Sequence, residues 1–197
     1  MTKLIKLLMI MSTVFSSALF AQATTSPQQL LESVTKELFI DIAAVNGQGT
    51  ASKQAMATIV EQRLIPHMDV KFVSFKLLGK HIKGLKREQA IHFIDAVQHY
   101  LTVTYAGALM KYTGQQVVFE SAADTRSEFA TVKTQIIASN APTIDLHFKL
   151  RQSKDQQWKV YDIVAEGISL LSAKQKEVIQ RISQVGIEQV TQELASK

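Results

Sequence analysis

After Gly114 the spacing of apolar residues changes from one in every three or four to one in every two, and this change limits the fold more than any other feature. The clearest stretch is 144–151. Ile144, Leu146, Phe148 and Leu150 point one way, and Asp145, His147, Lys149 and Arg151 the other. That is the pattern of an antiparallel strand with one buried and one wet face. Residues 117–119 begin another strand, and 129–137 form a third with Val132 and Ile136 on one face. Residues 157–164 return after a polar loop at 152–156. Upstream of Gly114 the spacing is helical, and 173–195 is helical again with a break at Gly186. Runs of helices and runs of strands, without strict β-α-β alternation, indicate α+β. A curved antiparallel sheet wrapped on one side by a long helix makes a cone. Periodicity leaves open whether such a cone is filled by side chains or partly hollow.

The helices carry their own punctuation. Ser26-Pro27-Gln28-Gln29 has the form of a capping box with proline at the first helical position. Leu30, Leu31, Val34, Leu38 and Ile42 then recur at helical spacing up to Asn46-Gly47. A second helix fits 53–63, ahead of Pro66. A third starts at a cap on Asp69 and stops at Gly79. The longest fits 86–112, with Ile91, Ile94, Val97, Leu101, Tyr105, Leu109 and Tyr112 as its apolar stripe. Gly107 lies inside it at a cost of up to ~1 kcal/mol relative to alanine, which predicts close packing there.

The first residues read as a secretory leader: Lys3 and Lys6, an apolar run over 7–20, then small residues at Ala18, Ala21 and Ala23. Cleavage after Ala21 or Ala23 is expected, with the leader over 1–23 and one domain over 24–197. The chain has no cysteine, which excludes a disulfide framework and a thiol-linked lipid anchor. Stability must come from a packed core, and a domain of this size buries roughly 68–70% of its unfolded surface. Without Lys3 and Lys6 the 22 basic residues fall to 20 against 17 acidic ones, too mild a balance for a nucleic-acid binder. The basic residues do cluster, in KLLGKHIKGLKR over 76–87. Lys76, Lys80, Lys83, Lys86 and Arg87 are either a solvated corner or a docking face for an acidic partner or anionic headgroups.

Catalytic signatures are weak. His67, His81, His92, His99 and His147 contain no pair four apart, so no helical metal site is expected. Ser169 follows Glu166-Gly167-Ile168 without the second glycine of a nucleophile elbow and reads as a helix cap. Asp162 and Glu166 are the suggestive carboxylates. Strict alternation puts Asp162 on the face of Trp158 and Val160, as a strand-end carboxylate bonded to backbone or lysine, or as a general base in a small pocket.

Three segments in order, WKVYDIVAEGISLL (158–171), LIPHMDVKFVSFKLLGKH (64–81) and FIDAVQHYLTVTYAGALMKYTG (93–114), carry a resemblance. The first holds Trp-Lys-Val, then Asp, then Glu-Gly-hydrophobic-Ser. The second holds Pro-x-x-Asp and Leu-Gly-Lys, with Met68 where an aromatic is common. The third ends Tyr-x-x-x-Leu-x-x-Tyr. Together they resemble the MlaC family of periplasmic phospholipid-binding ("toluene tolerance") proteins over nearly the whole of 24–197. The resemblance implies an NTF2-like cone with an apolar cavity, and a soluble periplasmic carrier of glycerophospholipids without cofactor or catalysis. It also implies shuttling between an outer-membrane lipoprotein–porin complex and an inner-membrane MCE-domain ABC transporter, which maintains outer-membrane lipid asymmetry. A monomer suffices for that role.

On this reading Leu101, Tyr105, Leu109, Val132, Ile136, Ile144, Leu146, Phe148, Trp158 and Val160 contribute to the tail pocket. Ile168, Leu170 and Leu171 close its mouth after Glu166-Gly167 turns the chain, opposite Phe72 and Phe75. Plain core is the alternative for each. Two other functions stay open: an NTF2-like enzyme on a small hydrophobic substrate with Asp162 as base and a smaller pocket, and a ligand-free envelope adaptor with a filled core.

Overall fold

The computed structural model describes residues 25–120, 123–126, 128–139 and 141–197. The leader expected over 1–23 lies outside the described residues. Among the described residues no helix is long and apolar enough to cross a membrane.

Helix α1 spans Pro27–Gly47 and α2 Lys53–Arg63. A 3₁₀ turn at Ile65–His67 leads to α3 at Val70–Leu78, and a second at Gly79–Ile82 leads toward α4 at Arg87–Leu109. The capping box at Ser26 forms, with the Gln29 amide donating to Ser26 Oγ at 3.2 Å and the Ser26 amide to Gln29 Oε1 at 3.1 Å. Asp69 caps α3 by accepting from the Phe72 amide at 3.0 Å, and its other oxygen holds Arg151 Nη1 at 2.6 Å. One carboxylate therefore ends a loop and ties α3 to the sheet.

Six strands follow: β1 Gln116–Phe119, β2 Asp124–Arg126, β3 Phe129–Ala138, β4 Ala141–Gln152, β5 Trp158–Ala165 and β6 Ile168–Ser169. All pair antiparallel in the order β1-β3-β4-β5-β6, and β2 shares with β1 the outer edge of β3. Register shifts in β3–β4 between Ile136 and Ala138, and in β4–β5 between Lys149 and Leu150, bend the sheet as inserted residues do. The face expected to be wet carries Lys133, Gln135, Asp145, His147 and Lys149. The chain ends in α5 (Leu170–Val185) and α6 (Ile187–Ala195), broken at Gly186 as the sequence predicts.

The core is divided into three apolar clusters. One joins α3, α4, α5 and α6 through Val73, Leu77, Phe93, Val97, Val178, Ile182 and Leu194. A second joins α1 to β3, β4 and β5 through Leu31, Val132, Leu150, Trp158 and Val160. The third joins α1, α2 and α4 through Leu38, Ile42, Met56, Val60 and Ala106. Helix α4 belongs to the first and third clusters and contributes nothing to the sheet's own cluster.

Two expectations for α4 change. Ile91 is 45% exposed, and fully buried Phe93 holds the inner position instead. The close packing expected at Gly107 is absent, since a Cβ built there meets nothing within 4 Å. Gly107→Ala is therefore expected to stabilise the protein by up to ~1 kcal/mol, measured by urea denaturation. A loss of stability would contradict an open environment at that position.

Candidate functional site

Where the three clusters approach one another they leave a cavity of about 340 Å³. Val73 and Leu77 of α3, Tyr100, Leu101, Thr104 and Tyr105 of α4, Val160 to Ile163 of β5, and the first turns of α5 line it, with Met68 beside them. Its position follows from the packing. Leu77 and Leu171 belong to the first cluster, Val160 and Ile163 to the second, and Tyr105 to the third. A volume of 340 Å³ lies at the low end of the roughly 300–1,000 Å³ typical of ligand pockets.

The wall formed by α5 is positioned by the stretch WKVYDIVAEGISLL. Glu166 and Gly167 both lie at positive φ, 49° and 78°, and form a two-residue hairpin turn between paired Ala165 and Ile168. The Glu166 carboxylate accepts from the Asp145 amide at 2.6 Å, and the Glu166 amide donates to Asp145 O at 3.0 Å. Ser169 then caps α5, accepting from the Ser172 amide at 3.0 Å. Chain direction therefore reverses and becomes helical within four residues.

Asp162 is not on the face that strict alternation assigns to it. Leu150 pairs with Val160 and Lys149 with Asp162, so Tyr161 is an inserted residue that shifts everything after it to the other face. The carboxylate, 7% exposed, turns toward α5 and accepts from Ser169 Oγ at 2.7 Å and from the Leu171 amide at 3.0 Å. Lys149 Nζ stands 3.9 Å away. Both oxygens are occupied in holding the first turn of α5 against β5. Since Glu166 is engaged with Asp145, the two carboxylates do not act on one point.

Burial pushes the Tyr105 phenol well above the ordinary tyrosine range, with Tyr100 and Asp162 adding to the effect, so it remains neutral. Burial and then Asp162 raise Tyr161 as well. Lys174 lies over the Tyr100 ring at 4.3 Å and pairs with Glu177 at 2.8 Å. Burial opposes its charge, but Glu177 and Tyr100 outweigh burial and raise its pKa.

Of the residues proposed from sequence for the tail pocket, the structure places Leu101, Tyr105, Val160, Leu170 and Leu171 around this cavity. Val132, Phe148 and Trp158 pack with Leu31 in the sheet cluster, and Leu109 in the cluster of α1, α2 and α4. Ile136 and Ile144 pair with each other near the sheet's end, where Ile144 is 42% exposed, and Leu146 pairs with Ala165. Ile168 is 63% exposed and lies outside the cavity. Phe72 packs edge-on to Tyr161 at 5.3 Å under the Arg151 guanidinium, and Phe75 packs into the helical cluster. The lining residues missed from sequence are Met68, Val73, Leu77, Tyr100, Thr104, Tyr161 and Ile163, with Ala173, Lys174 and Glu177 of α5. Val73 and Leu77 are four apart, as are Tyr100 and Thr104, so helical spacing held the signal.

The family model described as "MlaC protein" matches residues 32–196. A protein of Haemophilus influenzae, "Intermembrane phospholipid transport system binding protein MlaC", is 31% identical over 172 residues, covering 85% of this chain and 80% of that one. The solved structure of a phospholipid-binding protein from Ralstonia solanacearum in complex with a phospholipid superposes with a TM-score of 0.74 at 24% identity. It covers 88% of this chain and 96% of its own, and so has the same fold.

Asp162→Ala removes the acceptor of the Leu171 amide and the Ser169 hydroxyl. A loss of about 3 kcal/mol or more is expected, because two hydrogen bonds go and each one to a charged group contributes about 1.5–3 kcal/mol. The Leu171 amide should exchange its hydrogen faster, while Asp162→Asn, which keeps one acceptor, loses less. Unchanged exchange at Leu171 would contradict the anchoring role.

Proposed function

Because the chain belongs to the MlaC family, we propose that it is a periplasmic phospholipid carrier that hides acyl tails in the cavity between α3, α4, β5 and α5. It takes lipid between an outer-membrane lipoprotein–porin complex and an inner-membrane MCE-domain ABC transporter, and so maintains outer-membrane lipid asymmetry. The chain is exported with its leader removed after Ala21 or Ala23, and acts as a single-domain monomer without cofactor or catalytic step.

The observation that carries this reading is the apolar cavity itself, lined on opposite sides by Leu77, Leu101 and Tyr105 and by Val160, Ile163 and Leu171. Each acyl methylene taken out of water is worth ~0.8 kcal/mol, so about 30 of them cost more than ~20 kcal/mol to carry exposed. A carrier must enclose them but need not bind them more tightly than a bilayer, because tails in either place are equally apolar. Apolar walls with no fixed polar grip on the tails suit that requirement.

Size determines what else must happen. About 30 methylenes need roughly 900 Å³, against about 340 Å³ in the cavity, which is open to solvent on one side. The tails of a two-chain lipid therefore extend through that opening, or a wall moves to enclose them. The first turn of α5 is suited to this, joined to the sheet by a two-residue hairpin and held by the Asp162 carboxylate. A small cavity also fits an enzyme, but Asp162, the base that reading requires, has both oxygens engaged in holding α5.

Docking falls to the basic corner after α3. Lys76, Lys80, Lys83, Lys86 and Arg87 are exposed, and none forms an ion pair among the described residues. Two variants separate the two roles. Leu101→Trp, which fills the cavity, is expected to lose phospholipid loading by at least tenfold and still bind the membrane complexes. A Lys80→Glu, Lys83→Glu, Lys86→Glu variant should load normally and bind the complexes more weakly, with less salt dependence. Normal loading of Leu101→Trp, read by extracting lipid from the purified variant, would sink the assignment of the cavity.

A further inference from the structure

A second cavity, also about 340 Å³, runs between α5 and α6. Its lining sets charged groups, Arg181, Glu193 and Lys197 with Lys174 and Glu177, beside the aliphatic Val178, Val190 and Leu194. Lys174 and Glu177 line both cavities and so form their common boundary. An apolar space and a charged groove therefore meet at one ammonium, the arrangement an amphipathic ligand requires. Arg181 is not the available cation there, because its guanidinium forks onto Glu193 at 2.6 to 3.2 Å.

We propose that Lys174 is the phosphate contact of the bound diacyl lipid, with the tails in the cavity on one side of it and the headgroup in the α5–α6 groove on the other. The proposal rests on the carrier reading and adds to it the place and chemistry of headgroup recognition. Lys174 is suited to the task because its side chain is only 17% exposed and its ammonium is held over the face of the Tyr100 ring. Its present partner yields easily. Glu177 is 68% exposed, and an ion pair so open to water contributes little. A phosphate arriving from the cavity side displaces that carboxylate into solvent and leaves the ring contact intact. A charge-assisted contact of this kind slows release by about tenfold.

The test measures release into phosphatidylcholine vesicles from protein loaded either with dioleoyl phosphatidylglycerol or with dioleoylglycerol, which has the same tails and no phosphate. Lys174→Gln is expected to release the phospholipid about tenfold faster and the diacylglycerol at the wild-type rate, while Lys174→Arg retains the phospholipid. Equal acceleration for both lipids would make Lys174 a packing residue, and no acceleration for either would make it a bystander. Each result overturns the proposal. So does inorganic phosphate that binds the lipid-free protein at Lys174 and stays when phosphatidylglycerol is loaded, which would make this a site for the free anion. Wild-type protein that takes up neither lipid overturns the carrier reading itself, whereas wild-type uptake with unchanged Lys174→Gln release overturns only the Lys174 assignment.

Discussion

Helix α4 packs with other helices on two sides and leaves its third side to the sheet without filling the space between. Phe93, Ala96 and Val97 commit its first half to α3, α5 and α6, and Ala106 with Tyr105 and Leu109 commits its second half to α1 and α2. The sheet satisfies its own apolar face with Leu30 and Leu31 of α1. Among the described residues Ile65 alone packs against both helical clusters and none joins either of them to the sheet's, so the cavity lies where the three meet. Protein interiors ordinarily pack to crystal-like density, so a gap of about 340 Å³ marks a place where close packing has been given up.

The wall opposite α4 depends on a single inserted residue. If β5 ran without its irregularity, Asp162 would face the sheet cluster as an unpaired charge, and a buried charge without partners is costly. The insertion of Tyr161 carries Asp162 past the strand edge, where it meets the Ser169 hydroxyl and the Leu171 amide. The same shift returns Ile163 to the apolar face beside Phe148, so both sides of the irregularity are satisfied. The hairpin at Glu166 and Gly167 then brings α5 over the cavity, with Leu170 and Leu171 toward it and Lys174 at its border.

Much of this was legible in the sequence. The change of period at Gly114, the caps at Ser26, Asp69 and Ser169, and the break at Gly186 all produced the elements they predicted, because each depends on local chemistry. The site was legible only in part, because its position is set by which elements do not touch. Leu101 and Tyr105 lay on a recognisable helical stripe, but no spacing reveals that this stripe faces a gap. Alternation placed Asp162 wrongly because one inserted residue reverses every side chain after it. Ile144 and Ile168 looked like pocket residues for the same reason that core residues do, and their exposure at the sheet's end is a tertiary fact.

The carrier account is tested most directly by native mass spectrometry, with solvent extraction, of the full chain purified without detergent from the cells that produce it. It predicts one phospholipid per chain, and an extract carrying a phosphate headgroup and acyl tails. A clean lipid-free mass with nothing extractable would contradict it.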